Sequence, residues 1–170
     1  MTKRLLFYMV ILLQALFLVV MTASFYAIDA FGEQIKLKTE PFDPRDIFYG
    51  DYVILQYSIS SVPKYLWTES ELPQYGDSVY VVLGKEGDYH EVVSVSPTNP
   101  VVDTDQVVFK GKYMYEIDPK EMYIEYGIER YYVPEGTGKE LEDHMADLEA
   151  HIRIAPWGQM KIEKVDRKEE

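Results

Sequence analysis

The chain contains no cysteine. That excludes disulfides, thiolate metal sites and thiol catalysis. It has only three histidines, His90, His144 and His151. A zinc-binding helix places two histidines four residues apart beside a glutamate, and that spacing is missing. No acidic run carries the alternating ligands and central glycine of a calcium loop, and Glu140, Glu142, Asp143 and Asp147 read as a solvated helix face. The residues therefore imply no metal and no cofactor. Basic residues are scarce, with 17 Lys and Arg against 29 Asp and Glu and a formal net charge of -12. Once Lys3 and Arg4 at the N-terminus are set aside, the remainder is more acidic still. Such a surface repels phosphate backbones and carries no basic patch interleaved with aromatics, so nucleic acid is excluded as a partner. Tryptophan is rare too, 2 residues, whereas tyrosine reaches 15. Tyrosine suits half-exposed, cross-strand positions, so the aromatic balance favours β structure.

There is only one long apolar run, Leu5 to Ile28. As a helix at ~1.5 Å per residue, about 24 residues span ~36 Å, enough to cross a ~30 Å hydrocarbon core with tilt. Lys3 and Arg4 precede it; Asp29 and Glu33 follow. The positive-inside rule then leaves residues 1–4 in the cytoplasm and the rest outside. The run exceeds the apolar core of a cleaved signal peptide, and bulky Phe25, Tyr26 and Ile28 occupy the place of a small-x-small cleavage site. It reads as an uncleaved anchor.

Downstream, Glu33–Glu40 alternates, with Ile35 and Leu37 on one face, and predicts a first strand. Pro41 and Pro44 end it. The strongest alternation is Asp51–Ile59. Val53, Leu55, Tyr57 and Ile59 share one face; Tyr52 and Ile54 keep the other partly apolar, which predicts a central strand covered on both sides. Ser60–Gly76, with Pro63 and Pro73, reads as a loop or short helical turn that packs its aromatics. Asp77–Gly84 and Tyr89–Ser96 predict a hairpin around Gly87. Further strands are expected over Gln106–Ile117 and Met122–Tyr126. Lys139–Glu149 has helical spacing, with Leu141, Met145 and Leu148 on one side and Thr137 and Glu140 as a capping box. His151–Ala155 and Gln159–Val165 predict a last hairpin around Pro156-Trp157-Gly158, and Asp166–Glu170 a frayed charged tail. The expected fold is mainly β, an antiparallel sheet curling into a barrel or small sandwich, with one short helix in the C-terminal half and one N-terminal transmembrane helix. The units are an anchor over 5–28, a β domain over 29–166 and a tail over 167–170.

Two stretches stand out. Gly50-Asp51-Tyr52-Val53-Ile54-Leu55-Gln56-Tyr57 matches, letter for letter, the signature of the GDYXXLXY family, and the preceding Asp43-Pro44-Arg45-Asp46 resembles that family's approach to it. Gly127-Ile128-Glu129-Arg130-Tyr131-Tyr132-Val133-Pro134-Glu135-Gly136 is similar to a later segment of the family, with Tyr132 where Phe is common. The resemblance covers nearly the whole chain. It implies a small membrane-anchored bacterial protein acting beside a multi-pass membrane protein, and it assigns no catalytic residue.

The polar residues of the two stretches form the candidate site: Arg45, Asp46, Asp51, Tyr52, Glu129 and Arg130. If the stretches pair in the sheet, these side chains converge. An Arg fork oriented by an Asp suits a small anion or a peptide carboxylate. The same residues equally build structural ion bridges, Arg130 with Asp51 or Asp46, that pin the turns. No serine with a base precedes the first motif; Lys110, Lys112 and Lys120 lack a serine partner there. The histidines read as solvated or capping. The function expected is non-enzymatic: a membrane-anchored extracytoplasmic accessory or ligand-sensing domain working with an integral-membrane partner. The alternatives are an envelope hydrolase using Asp46, Asp51 or Glu129, and a structural spacer.

Overall fold

The computed structural model describes residues 2–40, 52–134 and 147–168. Among these residues one long helix, α1 (Thr2–Phe31), leads into eleven strands: β1 (Glu33–Glu40), β2 (Tyr52–Ile54), β3 (Gln56–Tyr57), β4 (Ser61–Pro63), β5 (Ser78–Glu86), β6 (Tyr89–Ser96), β7 (Gln106–Glu116), β8 (Glu121–Glu125), β9 (Arg130–Tyr132), β10 (Leu148–Ile154) and β11 (Met160–Arg167). All the strand pairings are antiparallel. They form a four-stranded sheet in the order β11-β10-β1-β3, a five-stranded sheet in the order β4-β8-β7-β5-β6, and the pair β2-β9. Together they make a nearly closed barrel. One core fills it, built from the inward faces of the strands, with Ile35, Leu37, Val81, Leu83, Phe109, Ile124 and Ile152 all buried.

The expected strand over Asp51–Ile59 is corrected. Its inward face is as predicted, with Val53, Leu55, Tyr57 and Ile59 buried. It is not one straight central strand. Tyr52–Ile54 pairs with β9, Gln56–Tyr57 pairs with the end of β1, and Ser58–Ser60 winds into a 3-10 turn. The chain changes partner at Leu55, whose N–H donates to the Glu129 carbonyl at 2.7 Å. A segment serving two sheets must bend between them, and its outer face stays open: Ile54 is exposed and Tyr52, Gln56 and Ser58 only half-buried.

Three other expectations change. Ser60–Gly76 contains a strand, β4, on the edge of the five-stranded sheet, as well as a 3-10 turn at Lys64–Leu66. Of its aromatics Trp67 packs on the core while Tyr65 is exposed. The helix expected over Lys139–Glu149 falls mostly outside the described residues, and its last two positions, Leu148 and Glu149, begin β10 instead. Period 3.6 and period 2 both place Leu148 inward, and pairing with β1 decides for the strand. The tail expected from Asp166 is strand as far as Arg167, and the Lys168 N–H donates to the Asp147 carbonyl at 2.8 Å.

The end of α1 is docked on the barrel. Ile28 is buried, although the helix before it is exposed along most of its length. Asp29 accepts from Lys161 Nζ at 2.5 Å, and its carbonyl accepts from Arg153 Nη1 at 3.2 Å. Lys161 also lies over the Phe25 ring, 4.9 Å from its centroid. Gly32 permits this close approach, because a Cβ there would stand 2.7 Å from Arg153 Cγ. The hairpin β10–β11 therefore grips the last turns of the helix.

Candidate functional site

The two motif stretches meet. β2 pairs with β9 in the register Tyr52↔Tyr132, Val53↔Tyr131 and Ile54↔Arg130. The alternation that buries Val53 turns Tyr52 and Tyr132 to the other side, where their rings stand 5.9 Å apart. Arg130, exposed, lies over the Tyr52 ring at 5.6 Å. Tyr132 is itself 71% exposed. The pair thus presents a small aromatic and cationic surface. Arg45, Asp46 and Asp51 lie outside the described residues, as do His144 and the acidic run Glu140, Glu142 and Asp143, so the expected Arg130 bridges to Asp46 and Asp51 lie outside them too.

Beneath that surface the stretches are clasped by buried hydrogen bonds. Tyr57 Oη donates to the Ile128 carbonyl at 2.6 Å, and Tyr126 Oη to the Ile59 carbonyl at 2.6 Å. Gly127 takes a positive φ of 80° and turns the chain so that Glu129 folds back on it. Glu129 Oε1 accepts the Tyr126 N–H at 2.5 Å. Burial pushes the Glu129 carboxyl above its ordinary value, and the N–H groups of Tyr126, Glu129 and Gly127 oppose that rise. Burial likewise raises the Tyr57 and Tyr126 phenols, which stay protonated donors. Leu55, Tyr57 and Glu129 therefore hold the architecture together.

A second group of residues escaped the sequence reading. Gln34, Lys36 and Lys38 share the outward face of β1, and Lys36 and Lys38 stand opposite His151 and Glu149 of β10. β6 lies alongside β1, and side chains bridge the two: Lys38 Nζ donates to Glu91 Oε1 at 2.9 Å. Glu149, buried, accepts from Lys36 Nζ at 3.0 Å, His151 Nε2 at 3.1 Å and Tyr89 Oη at 2.9 Å. Burial alone would raise the Glu149 carboxyl, but Lys36, Tyr89 and His151 outweigh it and hold it below its ordinary value. His90 and His151 are not solvated or capping; both are buried. Burial, with the Lys85 charge, lowers the His90 imidazole, and the Glu33 charge and the Lys36 backbone oppose that fall. Its Nδ1 has no hydrogen-bond partner. These groups border a cleft of about 410 Å³ lined by Gln34, Lys36, Lys85, Asp88, His90, His151 and Lys164. The alternation Gln34-Lys36-Lys38 was a visible signal for half of this group. The other half was hidden, because Glu149 carried a helical period.

Among the described residues neither region assembles a catalytic pair. Ser78 stands opposite Lys112 across the β5–β7 ladder, but both are exposed and no hydrogen bond joins them. No group of three or more His, Asp or Glu among the described residues has metal-site geometry.

The sequence profile of the GDYXXLXY protein family matches residues 14–165. The chain belongs to the GDYXXLXY family. The match takes in both clasped stretches, the cleft and more than half of α1. No curated protein matches the chain, and no solved structure matches it. Within this GDYXXLXY protein, α1 is long and apolar enough to cross a membrane, and its apolar 18-residue window contains no buried residue. Helix and family together support membrane anchoring.

Proposed function

We propose that this chain is a membrane-anchored, extracytoplasmic accessory or ligand-sensing module that acts with a multi-pass membrane partner and catalyses no reaction. Residues 1–4 lie in the cytoplasm, 5–28 cross the membrane as an uncleaved anchor, and the barrel stands outside. The observation that carries this reading is the docked end of α1. A bare apolar helix needs lipid or protein around it, and here its last turns are fixed to the barrel by Ile28, Asp29 and Gly32. Such a junction sets the barrel's orientation over the bilayer. The Tyr52–Arg130–Tyr132 surface would then face a neighbouring membrane protein in a fixed direction, with Arg45, Asp46 and Asp51 on the same motif. The hydrolase reading is less well supported, since Glu129 is occupied by backbone N–H groups.

Photo-crosslinking from position 132 in living cells tests this. The full chain is expected to trap a multi-pass membrane protein. The same barrel, exported behind a cleaved leader in place of α1, is expected to lose that adduct. An equal yield from the exported barrel would show that the anchor has no part in the mechanism.

A further inference from the structure

We propose that the cleft between β1, β6, β10 and β11 binds a phosphate group, as free phosphate or as a phosphate monoester. The inference goes beyond the accessory reading and holds for the barrel whether or not a membrane partner exists.

The cleft gathers three lysines in a chain of net charge -12. Two of them already have carboxylates: Lys36 bonds Glu149 at 3.0 Å and Lys164 bonds Asp166 at 2.5 Å. An ammonium carries three N–H donors, so each keeps donors to offer. Lys85 forms no ion pair among the described residues, and Asp88 is the carboxylate that lines the cleft. Glu149 is ion-paired with Lys36 and also accepts from His151 and Tyr89, so Lys85 is the lining cation without a carboxylate of its own among the described residues. Gln34 Nε2 lies 3.4 Å from His151 Nδ1 and adds a neutral amide.

His90 selects among anions. It is nine-tenths buried, it lines the cleft, and its Nδ1 is unpartnered. Burial favours the neutral ring, and in the tautomer protonated at Nε2 the unpartnered Nδ1 is a bare acceptor. A buried acceptor left empty costs about 1–3 kcal/mol. The ligand that fits brings negative oxygens for the lysines and one O–H for Nδ1. A phosphate monoester has a second pKa near 6 and so carries that proton in part at neutral pH. Sulfate and carboxylates are fully ionised there and have no proton to give.

Position narrows the source to two. Gln34 and Lys36 follow the end of α1 by only three and five residues, a path of at most about 10 and 17 Å in extended chain. If α1 spans the bilayer, a headgroup phosphate and a dissolved one both come within reach.

The full chain, with selectively labelled histidine, is placed in nanodiscs of phosphatidylcholine and titrated with inorganic phosphate. The His90 resonance, identified by its loss in His90→Gln, is expected to shift to saturation. Sulfate at equal concentration is expected to bind about tenfold more weakly. Lys85→Glu should weaken phosphate about tenfold and Asp88→Asn should tighten it. Lys112→Glu, exposed and outside the cleft, should change nothing. If nanodiscs holding phosphatidic acid produce the same shift with no phosphate added, the group comes from lipid; if they do not, it comes from solution. A shift that never saturates, equal response to sulfate, or equal losses in Lys85→Glu and Lys112→Glu would overturn the site.

Discussion

Tyr57→Ala is expected to lower the unfolding free energy by about 4 kcal/mol, within the range for truncating a large buried aromatic. Tyr57 is fully buried and closes the clasp between the two motif stretches. Its removal empties the core beside Val53 and Leu55 and strands the Ile128 carbonyl. Tyr57→Phe separates the two contributions. It retains the ring and loses only the 2.6 Å hydrogen bond, so a loss of about 1–2 kcal/mol is expected for the unsatisfied carbonyl. Urea unfolding in detergent micelles measures both. A loss for Ala no greater than for Phe would mean that packing around Tyr57 contributes little and that the clasp is not a core element.

Glu149→Ala is expected to cost about 2 kcal/mol. Removing one member of a buried charged network leaves its partners unsatisfied. The loss is moderated because Lys36 is 37% exposed and can turn to water. The carboxyl also gives the protein a pH signature. Its folded pKa lies below the ordinary 4.5, so the unfolded chain takes up its proton first as pH falls. The stability it contributes is present above about pH 4.5 and is lost as pH falls through the depressed value. Glu129 acts in the opposite sense. Its folded pKa is raised, so its share of stability falls as pH rises from 4.5 through the higher value. Glu149→Gln should therefore flatten the acid limb of a stability profile, and Glu129→Gln should flatten the weakly acidic part above it. Urea midpoints from pH 3 to pH 7 check both. An acid limb as steep in Glu149→Gln as in the parent would place the acid sensitivity elsewhere.

These results rest on features that differed in how plainly the sequence wrote them. The β1 strand was legible to the residue, because EQIKLKTE alternates and is closed by proline. The inward face of the GDYXXLXY stretch was legible for the same reason. Its break at Leu55 was not: alternation reports which face is buried and is silent on which strand lies alongside. The exchange of partners depends on β9, far along the chain, and on a hydrogen bond to the Glu129 carbonyl. Glu149 was misread because a leucine at position 148 satisfies a helical and an extended period at once. What made it a strand residue is the ladder with Lys38, a long-range pairing that no local pattern carries. Of the candidate site, the meeting of the two motifs was legible only as a condition, that the stretches pair in the sheet, and the β2–β9 ladder meets it. The buried cluster beside Tyr89 and His90 came from the approach of β6 to β1, which depends on barrel closure.

The side of the membrane on which the barrel stands decides whether the account holds. The absence of cysteine makes that accessible, since any introduced thiol is unique. Thr104→Cys, exposed in the β6–β7 connection, and Lys3→Cys, ahead of the apolar run, are treated in intact cells with a membrane-impermeant maleimide. The account predicts labelling at position 104 in intact cells and at position 3 only after permeabilisation. Labelling at position 3 with protection at position 104 would put the barrel in the cytoplasm and contradict it.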